Sequence, residues 1–319
     1  MKEKNSRLGT VGGQAVLEGV MMKSKSKMAL SVRCTDGEIK TEISECKSVS
    51  DKYKFLKWPL LRGIVNFAES MVLSFKTLSR SADMLGMEEE ESKLEKWLAE
   101  KFGKSLATIA AAIGAVLGVG LSVLLFFYLP ALLSDLVLGE NPARIVKSVF
   151  EGATKLALFI AYVYAVSFMP DIKRTFQYHG AEHKSVFCHE ACEELTVENV
   201  KKHSRYHPRC GTSFLVVMII IGILVSTLFI NLARPLRVLL KIITLPLSVS
   251  LGYEFIRYAG CHENIIIKIL AAPGLWIQRI TTKEPDDAQI EVAIRSLKAA
   301  LPDIYTEEAQ EEESLADEA

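Results

Sequence analysis

The stretch from Ser105 to Ser134 contains no charged residue, and no other part of the sequence constrains the fold as strongly. A helix needs only about 20 apolar residues to cross about 30 Å of hydrocarbon. The stretch therefore predicts a membrane-spanning helix. Of the 319 residues, 50% are hydrophobic and 24% are charged, so the two kinds must be segregated along the chain. We expect a mainly α, multi-span helical membrane protein of about four spans, with a small N-terminal β-containing part.

Further apolar segments extend the membrane prediction. They are 150–169, 210–233 and 236–256 as spans, and 265–280 as an interfacial helix. In the first of them, Glu151 and Lys155 lie near the start, where long side chains can reach the interface. The 236–256 segment either spans the membrane or forms a re-entrant segment, and we favour a span. Four residues weaken that interpretation: Arg237, Lys241, Pro246 and Glu254.

The distribution of Lys and Arg predicts the orientation. The first 104 residues contain 19 of them and the 171–210 loop contains seven, against two in the 135–147 connection. Because basic loops stay on the cytoplasmic side, we predict a cell-membrane protein with both termini and the 171–210 loop in the cytoplasm. The N-terminus has no apolar h-region, so we expect no cleavable signal peptide. The lipid bilayer is the expected partner, and the balance of 38 basic against 38 acidic residues suggests no nucleic acid.

Residues 1–57 are predicted to form the cytoplasmic β-containing part. Alternation on both sides of the turn signal Thr35-Asp36-Gly37 predicts a hairpin over 29–43. Ahead of it, glycines flank an apolar stretch over 12–19. They indicate tight turns or close backbone approach. They do not form a phosphate loop, because the GxxxxGK[ST] pattern is absent.

The rest of the chain divides by composition. Helical periodicity predicts an amphipathic helix at the start of 58–104, followed by a charged linker from Glu88. The membrane domain is expected over 105–283. Residues 284–319 are expected to form a cytoplasmic helix and then a disordered acidic tail, since the chain from Glu307 has seven acidic residues and no basic one.

The polar loop carries a pattern typical of a metal site, His179-Gly-Ala-Glu182-His183. Four residues apart on a helix, the two histidines share one face and can reach one metal ion. The carboxylate of Glu182 is next to the second histidine, where it can activate water, as in the H-x-x-E-H arrangement. If the helix is continuous, the same pitch places Cys188 and Cys192 on the opposite face, which makes them poorer candidates for ligands of the same ion.

Three residues outside this motif are further candidates. His207 and Cys210 lie on a tight turn where the apolar segment 210–233 begins. They are candidates because zinc normally takes three or four ligands. Glu254 is a carboxylate in an apolar segment, where it is costly and indicates a function or a buried partner. Simpler interpretations remain open: Glu254 pairs with Arg257 or Arg237, His207 buttresses the turn, and Cys210 is a buried small side chain.

Five long and unusual blocks run through nearly the whole chain. They are GGQAVLEGVMMKS, LLRGIVNFAESMVLSFKTLSRSA, QYHGAEHKSV, HPRCGTSF and APGLWIQRITTKEPDDAQIEVAI. On these blocks the chain resembles the YqhQ-like bacterial membrane proteins, a family of unknown function sometimes described as predicted metal-dependent enzymes. The resemblance implies a multi-span membrane protein and no particular substrate. It also implies a metal site on His179, Glu182, His183, His207 and Cys210.

Three functions compete at this point. The first is a metal-dependent enzyme of the zinc type, a hydrolase in which Glu182 is the general base. Its metal ligands are drawn from His179, His183, His207, Cys210 and Glu254. The second is a non-enzymatic membrane scaffold or partner-binding protein, in which the same residues form a structural metal clamp. The third is haem or metal-ion handling, which gives Glu182 no role.

Overall fold

The computed structural model describes residues 7–46, 48–86, 104–139, 142–259 and 265–305. The charged linker predicted from Glu88 and the acidic tail predicted from Glu307 lie outside these residues. The chain divides into two compact units. The first comprises Met1–Gly86, Val163–Val216 and Tyr253–Ala319, and the second comprises Met87–Tyr162 and Val217–Gly252.

The first unit contains an antiparallel sheet in the order β1-β2-β3-β4. Its strands are β1 Gly12–Val16, β2 Gly19–Lys23, β3 Lys27–Arg33 and β4 Ile39–Glu45. The predicted hairpin is confirmed as β3–β4. A second hairpin, β1–β2, turns at Leu17-Glu18, where Glu18 has a φ of 47°. A side chain on Gly19 would collide with the backbone oxygen of Ser31, so the close approach indicated by the glycines is also found.

Helices make up most of the remaining described chain. In chain order they are α1 Val49–Lys52, α2 Leu61–Met84, α3 Lys104–Val123, α4 Leu129–Leu138, α5 Arg144–Val166, α6 Pro170–Glu190, α7 Val197–Lys202, α8 Gly211–Ser226, α9 Arg234–Ile243, α10 Leu245–Ala259, α11 Ile265–Thr281 and α12 Asp287–Ala300. A 3-10 turn at Lys54–Lys57 precedes α2, and a π-helical turn at Leu124–Tyr128 joins α3 to α4. Helix α2 is the long helix that the periodicity predicts.

Strands β2 and β3 bury side chains on both faces of the sheet, since successive side chains of a strand point to opposite sides. On one face Val20, Met22 and Ala29 pack with residues of α6 and α12. On the other face Val16 and Met21 pack with residues of α2 and its end. Fully burying side chains of this size contributes roughly 1.5–3 kcal/mol each. The sheet therefore holds α6, which carries the H-x-x-E-H motif, against a fixed surface.

Two helical segments are long and apolar enough to cross a membrane, Ile113–Leu138 and Arg144–Val166. They correspond to the first two predicted spans. A third is possible if Arg234–Ile243 and Leu245–Phe255, which bend by 46° at their junction, count as one broken span. Both interpretations of that region, a span and a re-entrant segment, are compatible with the bend.

The third predicted span, 210–233, is shorter than expected. Helix α8 ends at Ser226, and a series of turns follows it. The hydroxyls of Ser226 and Thr227 donate to the backbone oxygens of Ile223 and Leu224 at 2.9 and 2.6 Å. Such bonds compete with the main-chain hydrogen bonds of a helix. The expectation of four spans is therefore corrected to two or three candidate spans among the described residues.

Ion pairs join the helices of the second unit. Glu151, which the sequence predicts at the interface, is instead buried and pairs with Arg237 and Lys241. Asp135 pairs with Lys147 at 2.7 Å and with Arg237 at 3.0 Å. Buried charges are tolerated when they are paired in this way. Arg237 and Lys241, two of the charges that weakened the prediction of a span over 236–256, thus have partners on α4 and α5.

Candidate metal centre

Helix α6 carries the motif in one unbroken run from Pro170 to Glu190. Proline suits the first position of a helix, because its missing N–H would have no partner there. Since the helix is continuous, His179 and His183 lie one turn apart on the same face, as their spacing predicts. Their ring centroids are 4.4 Å apart.

The segment that follows α11 crosses α6 at the motif. A Cβ on Gly180 would overlap the backbone oxygen of Lys283, so only glycine allows this approach. The amide of Lys283 donates to the backbone oxygen of Phe176 at 2.8 Å. The close approach brings the backbone oxygen of Thr281 next to the ring of His179.

Both motif histidines have one ring nitrogen bonded to the backbone. His179 Nδ1 lies 2.9 Å from the oxygen of Thr281, and His183 Nδ1 lies 2.6 Å from the oxygen of Arg205. A carbonyl oxygen can only accept, so each Nδ1 carries the proton and donates it. In the neutral ring the lone pair of Nε2 is then available. Metal-binding histidines are held by a hydrogen bond of this kind.

Cys210 completes a group of three ligand atoms. Its Sγ lies 3.4 Å from Nε2 of His179. The ligand atoms of His179, His183 and Cys210 all lie within 4.8 Å of one another. The structure therefore brings together three of the five metal ligands predicted from the sequence. Two imidazole nitrogens and a thiol form a donor set that suits zinc.

The turn before Cys210 is fixed by Gln278, which the sequence interpretation missed. The backbone N–H of His207 donates to Oε1 of Gln278 at 2.7 Å, and Nε2 of Gln278 donates to the backbone oxygen of His207 at 2.8 Å. The side chain of Gln278 is completely buried. The sequence did contain a signal for this role, since Gln278 is a lone glutamine within the apolar stretch of α11. A buried amide must find hydrogen-bond partners.

His207 lies beside the three ligands. Its ring is buried, with its centroid 5.6 Å from that of His183. Nδ1 accepts the backbone N–H of Arg209 at 3.2 Å, which fits the interpretation that His207 buttresses the turn. Nε2 is 3.7 Å from Oε2 of Glu190, beyond hydrogen-bond distance, and has no hydrogen-bond partner among the described residues.

Glu254 is not brought to this group. Its carboxylate accepts two hydrogen bonds from Arg62, one of them at 2.5 Å from Nε of the guanidinium. The sequence interpretation expected an ion pair with Arg257 or Arg237 as the alternative to metal binding. The carboxylate is indeed engaged in an ion pair, but its partner comes from α2, nearly 200 residues earlier in the chain.

Glu182 is buried next to the ligands. Its Oε2 lies 3.4 Å from Nε2 of His183. Burial raises the pKa of this carboxyl, and His179, His207 and the backbone N–H of Gly13 act in the opposite direction. Burial likewise lowers the pKa of His183, which favours the neutral ring that a metal ion requires.

A cavity of about 420 Å³ opens onto the group. One wall is strand β1 with the residue before it, and the opposite wall is the face of α6 that carries the motif. The turn containing Cys210 closes one side. The lining residues from the strand side are Val11, Gly12, Gly13, Gln14 and Ala15, and those from α6 include Phe176, His179, Glu182, His183 and Val186.

Glu190 lies near the end of the same helix and stabilises the cavity wall. It accepts hydrogen bonds from the backbone N–H of Gly9 at 2.9 Å and from the guanidinium of Arg209. Burial works to raise the pKa of Glu190, but His207, Gly9 and Arg209 outweigh it and lower the pKa to about 2. The carboxylate is therefore ionised and joins Gly9, two residues before the strand-side lining, to Arg209, which lines the cavity.

A second group of ligand types lies further along α6. Cys188, Glu193 and His203 offer three atoms within 4.8 Å of one another. Nε2 of His203 lies 3.1 Å from Oε2 of Glu193. The buried Sγ of Cys188 faces the backbone oxygen of Glu194 at 3.4 Å, and burial raises the pKa of this thiol to about 11. Cys188 is thus separate from the main group, as the helical pitch predicts.

Comparison with known proteins gives two matches. Residues 58–303 match the family model described as "Protein of unknown function (DUF1385)". The chain is also 38% identical over 295 residues to "Uncharacterized protein YqhQ" of Bacillus subtilis (strain 168), over 91% of this chain and 92% of that protein. No solved structure matches the chain.

Proposed function

Because this chain belongs to the YqhQ-like DUF1385 family, whose description names no activity, we propose a function from its own geometry. It is a multi-span membrane protein that binds one divalent metal ion, zinc by preference, and hydrolyses a substrate at that ion. One observation carries the proposal. The backbone binds Nδ1 of both histidines, Nε2 of His179 lies 3.4 Å from Sγ of Cys210, and one ligand atom from each of the three residues lies within 4.8 Å of the other two.

His179, His183 and Cys210 would hold the ion. Three protein ligands leave one position of a tetrahedral zinc site open, which is the pattern of catalytic rather than structural sites. When bound there, zinc supplies a Lewis acid that polarises a substrate carbonyl and activates water. The hydrogen bonds to the backbone oxygens of Thr281 and Arg205 orient both rings before any ion arrives.

Glu182 is the proposed general base. Its carboxylate borders the same space as the ligand atoms and opens onto the cavity. There it can accept a proton from the attacking water and return it to the leaving group. Its burial keeps the carboxylate away from bulk water, where the proton would be lost to solvent.

We place the protein in the cell membrane, with the lipid bilayer as its partner. The apolar helices Ile113–Leu138 and Arg144–Val166 support the membrane assignment. The excess of Lys and Arg in the N-terminal region and in the 171–210 loop supports a cytoplasmic position for both, and for the termini. The metal centre is then a cytoplasmic site.

A second candidate function is a scaffold with a structural metal clamp. His207 favours it, since its buried Nε2 has no hydrogen bond among the described residues and its ring neighbours that of His183. To bind an ion through Nε2, the neutral ring would carry its proton on Nδ1 and give up the hydrogen bond from Arg209. A fourth protein ligand would close the coordination sphere, as in structural zinc sites. The clamp would then tie α6 to the turn ahead of α8 and would perform no chemistry.

Elemental analysis of the detergent-purified protein and of a Glu182→Gln variant separates these functions. We expect one zinc ion per chain in both proteins, with hydrolysis of a panel of peptide, ester and phosphodiester substrates by the wild type alone. The exposed Glu194→Gln is the matched control and should keep the activity. A metal-free wild type would contradict both functions. The clamp would be favoured if the wild type contains zinc but shows no hydrolytic activity that is lost in Glu182→Gln.

A further inference from the structure

Strand β1 forms an edge of the sheet. It pairs with β2 on one side, and among the described residues no strand lies on its other side. An edge strand presents unpaired N–H and C=O groups, which can pair with an added strand. The edge of β1 is also short, and it begins with two exposed glycines, Gly12 and Gly13.

The register identifies the residues that face outward. Val16 and Gly19 flank the two-residue turn and form a hydrogen-bonded pair, and such pairs alternate along an antiparallel ladder. Gln14 therefore bonds to β2, whereas Gly13 and Ala15 direct their main-chain groups outward. Outside the sheet, the N–H of Ala15 forms no hydrogen bond with any residue that the structure describes.

This edge is also a wall of the cavity at the metal centre. Residues from Val11 to Ala15 line the cavity opposite the motif face of α6. A Cβ on Gly13 would lie only 2.6 Å from Cγ of Glu182, so the candidate base lies directly against the strand. A Cβ on Gly12 would meet no atom within 4 Å, whereas the space at Gly13 is filled by Glu182, so the outward N–H left for pairing along this edge is that of Ala15.

We propose that the substrate is a polypeptide in extended conformation, which pairs with the outer edge of β1 as an added strand. This inference rests on the proposed function, since it names the substrate of that same site. Strands in a sheet lie about 4.8 Å apart, so a chain paired with Ala15 runs through the cavity and past Glu182. Main-chain pairing gives affinity for many sequences, with selectivity coming from alternate side chains.

The reaction is then peptide hydrolysis. The oxygen of one water molecule bonds to the carbonyl carbon, and the C–N bond breaks. Glu182 takes one proton from the water and passes it to the leaving nitrogen, which becomes an amine. The other product is a carboxylic acid, which releases the second proton of the water to become a carboxylate. The step needs no oxidant, reductant or further co-reactant.

Two proline variants of the full-length protein in detergent test the pairing. Ala15→Pro removes one outward N–H from β1 and keeps the bonds of β1 to β2. Ile43→Pro is the control, because Ile43 is exposed and its N–H faces outward from β4, the opposite edge. We expect Ala15→Pro to weaken binding of a fluorescent decapeptide, and cleavage of unfolded β-casein, by about tenfold, the effect of losing a hydrogen bond and its geometry. Ile43→Pro should match the wild type.

The decapeptide supplies a second test that needs no altered protein. N-methylation of two consecutive central residues removes the N–H groups required in either register, and binding to the wild type should fall by a similar factor. Zinc content identifies which proposal fails. A metal-free wild type contradicts the proposed function. If the wild type contains zinc, two results would overturn the strand proposal and leave the proposed function standing. One is cleavage of phosphatidylglycerol vesicles without cleavage of casein. The other is equal affinity of Ala15→Pro and Ile43→Pro for the decapeptide while both variants retain zinc.

Discussion

Two groups on or beside α6 each combine a cysteine with other ligand types within 4.8 Å: His179, His183 and Cys210, and further along Cys188, Glu193 and His203. They differ in what their ligand atoms already bind. In the first group the backbone takes the proton of each Nδ1, and Nε2 of His179 faces the thiol of Cys210, another candidate ligand. In the second group Nε2 of His203 is engaged with Glu193.

The two thiols differ as well. Cys188 is completely buried, and burial raises its pKa to about 11, so it is a thiol near neutral pH and faces the backbone oxygen of Glu194. Cys210 is only partly buried and faces a ring nitrogen. A metal ion binds the thiolate, not the thiol. Proximity of ligand types is therefore not the only criterion, and the hydrogen bonds around the ligand atoms are the reason that our proposal uses the first group.

The largest expected difference between the groups is in metal content. Replacing His183 by Ala removes one of three ligands, and we expect zinc in the purified protein to fall from one ion per chain to none. The loss in affinity should exceed the roughly 10–100-fold typical of an outer hydrogen-bond partner. His203→Ala is the control and should keep one ion. Elemental analysis of both variants measures this, and zinc loss in His203→Ala alone would reverse the comparison.

Gly180→Ala should disturb the first group through its packing. In an open helix this change would stabilise by up to about 1 kcal/mol. Here the added Cβ overlaps the backbone oxygen of Lys283, so we expect a net loss of about 1–3 kcal/mol and a weaker bond from His179 to Thr281. Urea unfolding and zinc titration give the two numbers. Gly12→Ala meets no atom within 4 Å and serves as the control; equal stability of both variants would contradict the packing argument.

Gln278→Ala tests whether the turn that carries Cys210 is held from α11. The change leaves the backbone N–H and oxygen of His207 without their partner, which costs about 1–3 kcal/mol. We also expect zinc affinity to fall by roughly tenfold, because Cys210 loses its fixed position. A competition titration with a chelating dye measures the affinity. Gln177→Ala, which removes only one exposed hydrogen bond, should match the wild type.

The smallest effect is expected in the second group. Cys188→Ala removes a buried sulfur from a core position and should lower the free energy of unfolding by about 1 kcal/mol. Zinc content should stay at one ion per chain, because the thiol is not a ligand in this interpretation. A drop in zinc content without unfolding would show that the second group binds the metal.

The sequence predicted the local features of the site well. Residues four apart on a helix share a face whatever the surroundings, so the pairing of His179 with His183, and the separation of Cys188 from them, followed from pitch alone. The partners of the two rings could not be predicted in this way. Thr281 and Arg205 are 102 and 22 residues from the histidines they orient. Gln278, 71 residues from His207, was missed for the same reason.

The membrane prediction shows a similar limit. The length of the apolar segments identified two helices that are long and apolar enough to cross a bilayer, because hydropathy is a property of the segment itself. The 210–233 segment was equally apolar, but the hydroxyls of Ser226 and Thr227 bond to the helix backbone where α8 ends. Likewise Glu151 was expected at the interface, and pairing with Arg237 and Lys241 instead allows its burial.

By itself, the sequence determined the apolar helices, the β3–β4 hairpin and the shared face of His179 and His183, since backbone geometry and hydropathy act over a few residues. Only the tertiary structure decided which of the more distant candidates join that face. In the folded chain Cys210 lies with the two histidines, the ring of His207 lies beside that of His183, and Glu254 forms an ion pair with Arg62. These choices depend on how helices far apart in the chain bury their apolar surfaces against the sheet and one another, and local sequence patterns do not encode that packing.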